Sequence, residues 1–150
     1  MLTANAGGGK VWKDLLKYCY EIGLNFFEAN IVVNKEAYAK LPQLRPIIFG
    51  LMARCEAVRL GGVLMTKLPA GGLIEPHIDF GWHAKTYDKF YVAVKTPARA
   101  RFTFPDGDIC ARDGEVYWFR NDVEHSVHNG GPGDRIALIV CIQLSKGPAW

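Results

Sequence analysis

The chain has no apolar run long enough to span a bilayer, no Cys-x-x-Cys pair and no run of Lys and Arg. Each absence excludes a class. Residues 1–10 are polar and Gly-rich, not a basic segment followed by an apolar core and a cleavage site, so neither secretion nor membrane insertion is expected. Cys19, Cys55, Cys110 and Cys141 stand far apart, which argues for reduced, mostly buried thiols and against a disulfide framework. The 18 basic and 15 acidic side chains are scattered, leaving a net charge of +3 and no basic stripe or aromatic platform. Nucleic acid is therefore not the expected partner, although this balance does not exclude it. Also missing are a Gly-rich phosphate loop, a Ser-centred nucleophile elbow, a parallel βαβ alternation and any solenoid repeat. A soluble cytoplasmic protein is the expectation; the oligomeric state is not legible.

What is present fits one domain. At 150 residues and 49% hydrophobic content, the chain can bury one core and is too short for two ordinary domains. Residues 1–9 read as a flexible tail, 10–55 as mainly helical support and 56–145 as a β-rich core. Apolar residues recur at helical spacing over 11–22, and further helices are expected over 35–41 and 45–54, with Pro42 and Pro46 at a boundary or first turn. From residue 56 the texture becomes short β-type runs: 57–60, 63–68, 90–94, 101–104, 115–119, 125–128 and 136–143. They are separated by turn signals such as Pro105-Asp106-Gly107-Asp108 and Arg112-Asp113-Gly114. This spacing belongs to a sheet-rich barrel or sandwich.

Within Pro76-His77-Ile78-Asp79 an imidazole and a carboxylate stand two residues apart, so on an extended backbone both reach the same side and can chelate one ion. Alone the pattern is weak. Further on, His125 opens a strand after the polar corner Arg120-Asn121-Asp122 and supplies a second imidazole. Two His and one carboxylate with open positions are the facial ligand set of non-haem Fe(II) oxygenases; zinc is the usual alternative. Arg135 starts an apolar strand and shares a face with Ala137 and Ile139, where its guanidinium can clamp a carboxylate bidentately. An edge arginine paired with Asp134 or with solvent is the competing reading. His128, three positions after His125, points away from it.

These stretches resemble the aspartyl/asparaginyl β-hydroxylase family of 2-oxoglutarate oxygenases. The segments that carry the resemblance are Leu68-Pro69-Ala70-Gly71-Gly72-Leu73-Ile74-Glu75-Pro76-His77, Gly114-Glu115-Val116-Tyr117-Trp118-Phe119, Glu124-His125-Ser126-Val127-His128-Asn129 and Asp134-Arg135-Ile136-Ala137-Leu138-Ile139. The resemblance implies a mostly β, double-stranded β-helix of the jelly-roll or cupin-like kind, with N-terminal α-helices packed on one sheet. It implies Fe(II) held by His77 and His125, with Asp79 restoring a carboxylate that well-known animal members replace by Gly. It further implies 2-oxoglutarate as cosubstrate, with Arg135 on its distal carboxylate and Thr66 as a hydroxyl contact, and O2 as oxidant. Where the family tends to carry Arg-x-His, this chain has Lys89-Phe90-Tyr91. Lys89 and Tyr91 share a strand face and can each hydrogen-bond a carboxylate, or be an exposed Lys and a core Tyr. Trp82 and His83, in an expected loop beside the metal, are candidates for substrate contact.

The implied reaction is hydroxylation of an amino acid, free or as a side chain in a peptide or protein, coupled to decarboxylation of 2-oxoglutarate to succinate. Two rivals remain open at this level. A metal-binding cupin-like barrel with redox-neutral chemistry would keep the metal site and have no use for Arg135 as an anchor, and a non-catalytic interaction module would bind metal weakly.

Overall fold

A computed structural model describes residues 41–146, together with Ala39. The helix expected over 11–22, most of that over 35–41, the tail over 1–9 and Cys19 lie outside the described residues. The first described element is α1 (Leu44–Arg54), whose buried Leu44, Ile48 and Leu51 repeat at helical spacing. Pro46 stands in its first turn, where its missing N–H costs no intrahelical bond. Glu56, with φ of 52°, turns the chain out of the helix.

Eight strands follow: β1 (Ala57–Leu68), β2 (Leu73–His77), β3 (Asp88–Lys95), β4 (Ala100–Phe104), β5 (Gly107–Ile109), β6 (Val116–Phe119), β7 (His125–Asn129) and β8 (Arg135–Leu144). They form two four-stranded sheets, ordered β1-β8-β3-β6 and β2-β7-β4-β5, and every paired neighbour is antiparallel. This is a double-stranded β-helix, as expected. The runs 57–60 and 63–68 are one bulged strand. Gly61 lies at its break, where a Cβ would come within 2.6 Å of the Tyr87 ring. Two strands were not anticipated. β2 hides in a stretch interrupted by Pro76, and β5 begins inside what reads as a turn, since Pro105 and Asp106 alone connect it to β4.

Period-two alternation divides the interior into two cores. On the outer face of the first sheet, Val63, Met65, Phe90, Val92, Ile136, Leu138, Val140 and Ile142 pack against Leu44, Ile48 and Leu51 of α1. Thus a helix does pack on one sheet. Between the sheets lie Leu68, Tyr91, Ala93, Phe102, Phe119, Val127 and Ala137, with Ile74 and Ile139 against them. The outer core is the larger. The inner one has polar neighbours, and these form the site.

Candidate metal centre and anion pocket

A bulge in β2 aims the first histidine. Ile74 pairs with Val127, but the next register pair is His77 with His125, so β2 spends three residues where β7 spends two. Without the extra residue, His77 would face away from Ile74. With it, His77 turns to the interior and lies beside His125, ring centroids 4.4 Å apart. Asp79, two residues on, reaches the same place. One ligand atom from each of His77, Asp79 and His125 lies within 4.8 Å of the others, with His77 exposed, Asp79 half-buried and His125 buried. The sequence spacing therefore anticipated this convergence.

Both imidazoles are held in the same tautomer. His77 Nδ1 is 2.7 Å from Glu75 O, and His125 Nδ1 is 2.7 Å from Val123 O. A carbonyl oxygen only accepts, so each Nδ1 carries the proton and each Nε2 keeps its lone pair free. Such an outer hydrogen bond is the usual support of a metal-binding histidine. Burial lowers the His125 pKa, outweighing the Val123 hydrogen bond and the nearby Asp79 carboxylate, so its neutral form is favoured. Phe119, Phe102 and Phe104 pack on its ring at 5.4, 5.6 and 5.8 Å. This donor set fits a divalent transition metal with one side left open.

Lys89 reaches the cluster itself: its ammonium donates to Asp79 Oδ2 at 2.6 Å, while that oxygen stands 3.7 Å from His125 Nε2. Arg135 lies deeper. It is 3% exposed, and its guanidinium carbon sits 4.8 Å over the Tyr91 ring. Asp134 pairs with Lys67 at 3.7 Å, and no described carboxylate pairs with Arg135. The edge-pairing alternative therefore fails. Arg135, Ala137, Ile139 and Cys141 share the inner face of β8, and Thr66 pairs in register with Ala137 on β1. The Tyr91 hydroxyl approaches Thr96 Oγ1 at 3.5 Å, so its ring floors the guanidinium while its phenol points elsewhere.

Residues 81–86 form a short helix, α2 (Gly81–Thr86), where a loop was expected. Trp82 is 71% exposed, and His83 packs against Tyr87 with ring centroids 4.7 Å apart and the rings tilted. Burial and the nearby Lys89 charge lower the His83 pKa. A cavity of about 590 Å3 runs between the β4–β5 turn and the end of β6, walled by Phe104, Ile109, Trp118, Phe119, Arg120 and Val123. His128 is exposed and points away from the cluster, as expected. The thiol expectation needs correction: of the described cysteines only Cys141 is buried, while Cys110 is exposed. Sequence reasoning also missed Asn121, which is fully buried in a corner of ordinary turn composition.

Fold and cluster together define a double-stranded β-helix with a two-histidine, one-carboxylate centre. Residues 3–143 match the model of the aspartyl/asparaginyl beta-hydroxylase family, and the chain belongs to that family. Membership supports a hydroxylase-type function. Among solved structures, a viral collagen prolyl hydroxylase of Paramecium bursaria Chlorella virus-1, in complex with 2-oxoglutarate, is similar at a TM-score of 0.58 with 15% identity, covering 94% of each chain. A cupin protein from Bacteroides fragilis aligns at a TM-score of 0.48 with 14% identity, over 62% of this chain and 74% of its own. A cupin domain from Bordetella pertussis gives 0.44 with 21% identity, over 57% and 84%. No curated protein sequence matches the chain. Among the described residues, no helix is long and apolar enough to cross a membrane.

Proposed function

We propose that the protein is an Fe(II)- and 2-oxoglutarate-dependent hydroxylase acting on an amino acid or an amino-acid side chain in a peptide or protein. The observation that carries this reading is Arg135. Arg135, a residue 3% exposed with no described carboxylate partner, on the face that leads to the metal cluster, calls for an anionic ligand. A redox-neutral metal enzyme would not need such a group as a cosubstrate anchor.

In this reading His77, Asp79 and His125 hold the iron through two Nε2 atoms and a carboxylate oxygen. Their Nδ1–H bonds to Glu75 and Val123 keep the rings from turning. Arg135 would grip a carboxylate of 2-oxoglutarate, with the Tyr91 ring against its guanidinium, and Thr66 would supply a hydroxyl contact. Lys89, paired with Asp79, would add positive charge beside the cluster. When Fe(II) and 2-oxoglutarate are bound, they supply O2-dependent oxidation in which the cosubstrate becomes succinate and CO2 and one oxygen atom enters a substrate C–H bond. The apolar side chains between the sheets keep water from that space. Trp82 and His83 line the exposed side of the cluster, where the substrate approaches.

The test is an anaerobic Fe(II) titration with and without 2-oxoglutarate, following the visible charge-transfer band of the chelate. A band that is absent in His77→Ala and weakened in Arg135→Ala is expected. Tight metal binding without any band in the wild type would overturn the reading and favour redox-neutral chemistry.

A further inference from the structure

Helix α2 is six residues long, starts at Gly81 with φ of 87° and has no side-chain N-cap. So short a helix does not hold itself in water. Asn121, fully buried in the β6–β7 corner, holds it from outside. Its Nδ2 donates to Ala84 O at 3.1 Å and to Tyr87 O at 3.5 Å, at the end of the helix where carbonyls lack intrahelical partners. Both partners only accept, so the orientation of the amide is fixed by chemistry. Meanwhile the Asn121 main-chain oxygen accepts the Asp79 amide N–H at 3.0 Å. One residue thus clips both ends of segment 79–87, its start through the main chain and its end through the side chain.

That segment begins with the carboxylate of the cluster and carries Trp82 and His83. We propose that Asn121 is a positioning residue that sets the Asp79 carboxylate and the α2 wall as a single unit against His77 and His125. A leucine of similar size would strand two carbonyls, and an aspartate would aim oxygen at oxygen. Only a donor with this reach satisfies the helix end. The structural half of the proposal stands alone; the metal half rests on the cluster binding a divalent ion.

The experiment compares wild type, Asn121→Ala, the near-isosteric Asn121→Asp and Leu51→Ala, a control in the outer core. Hydrogen exchange is read peptide by peptide on the metal-free protein, and Co(II) affinity is measured by calorimetric titration. In both Asn121 variants, exchange over 79–87 is expected to accelerate at least about tenfold beyond any change in β1 and β8. The Co(II) dissociation constant should rise about ten- to a hundredfold. Leu51→Ala should lower global stability and move neither reading. Unchanged exchange over 79–87, or faster exchange with unaltered Co(II) affinity, overturns the proposal, as does wild-type behaviour of Asn121→Asp, which would assign the effect to side-chain volume. Should the wild type take up no Co(II), the metal reading fails by itself, and the clip is still decided by exchange.

Discussion

Replacing Arg135 with methionine should move two observables in opposite directions. Arg135 is 3% exposed, and the one described contact of its guanidinium is the face of Tyr91, 4.8 Å away. In the ligand-free protein it is a desolvated charge with no carboxylate beside it. An apolar side chain of similar volume in place of a buried charge commonly stabilises by about 1–4 kcal/mol, and the lost cation–π contact takes back about 0.5–2 kcal/mol. A net gain of about 1 kcal/mol follows, or about 2–4 °C in Tm for a chain of this size. In the presence of 2-oxoglutarate the sign reverses. Losing a buried charge-assisted carboxylate contact costs about 2–4 kcal/mol, which at 1.4 kcal/mol per decade is about a 30- to 700-fold weaker complex. The assay is a thermal melt of Mn(II)-loaded protein across a 2-oxoglutarate series. Wild type should gain about 2.7 kcal/mol at a hundredfold excess over Kd, and Arg135→Met only about 0.1–0.9 kcal/mol at that concentration. A variant that melts lower without ligand and binds 2-oxoglutarate as the wild type does would refute the reasoning, because Arg135 would then be a structural group.

Asp79→Asn should lower Co(II) affinity at least about tenfold while leaving the fold intact, and calorimetric titration with circular dichroism checks both. Gly131→Ala should destabilise by about 2 kcal/mol or more in urea, because a Cβ there would collide with the Ala98 carbonyl oxygen, which is backbone and cannot swing aside; an unchanged midpoint would contradict the packing of the β7–β8 turn. Burial holds the His125 pKa below 6.5, so as pH falls through 6.5 the unfolded chain binds a proton before the folded one does. The stability of the metal-free protein conferred by the neutral ring is complete above 6.5 and declines below it, with His83, lowered by burial and Lys89, adding the same sign. Urea midpoints should therefore drop between pH 7.5 and 5.5, less so in His125→Gln, and a flat profile would count against the assignment.

The strands that carry the fold were legible where alternation is strict. In β8 the apolar parity of Ile136, Leu138 and Val140 shows in the letters, and the same parity placed Arg135 inside. The spacing of His77 and Asp79 suggested that they meet, weakly until His125 stood beside them. What stayed hidden depends on contacts between distant segments. β2 carries a proline and a bulge, so its alternation is broken at the place where the bulge aims His77. Lys89 could be assigned to a face but not to a partner, because its ion pair with Asp79 joins β3 to the segment that follows β2, a strand of the other sheet. Asn121 gave no local signal: Arg120-Asn121-Asp122 has ordinary turn composition, and only the arrival of α2 makes the amide indispensable.

The two cores share strands but not residues, and β8 shows what that permits. Its even-numbered positions from 136 to 142 face α1 and hold the sheet together, while 135, 137, 139 and 141 face the site. Heritable change can therefore act on one strand at two unconnected levels. Mutations at one parity alter how much folded protein a cell keeps, and mutations at the other alter what that protein accepts. A lineage can rework the lining of the site through Ala137, Ile139 and Cys141, at a cost in the inner core, while the packing of the outer layer stays as it is.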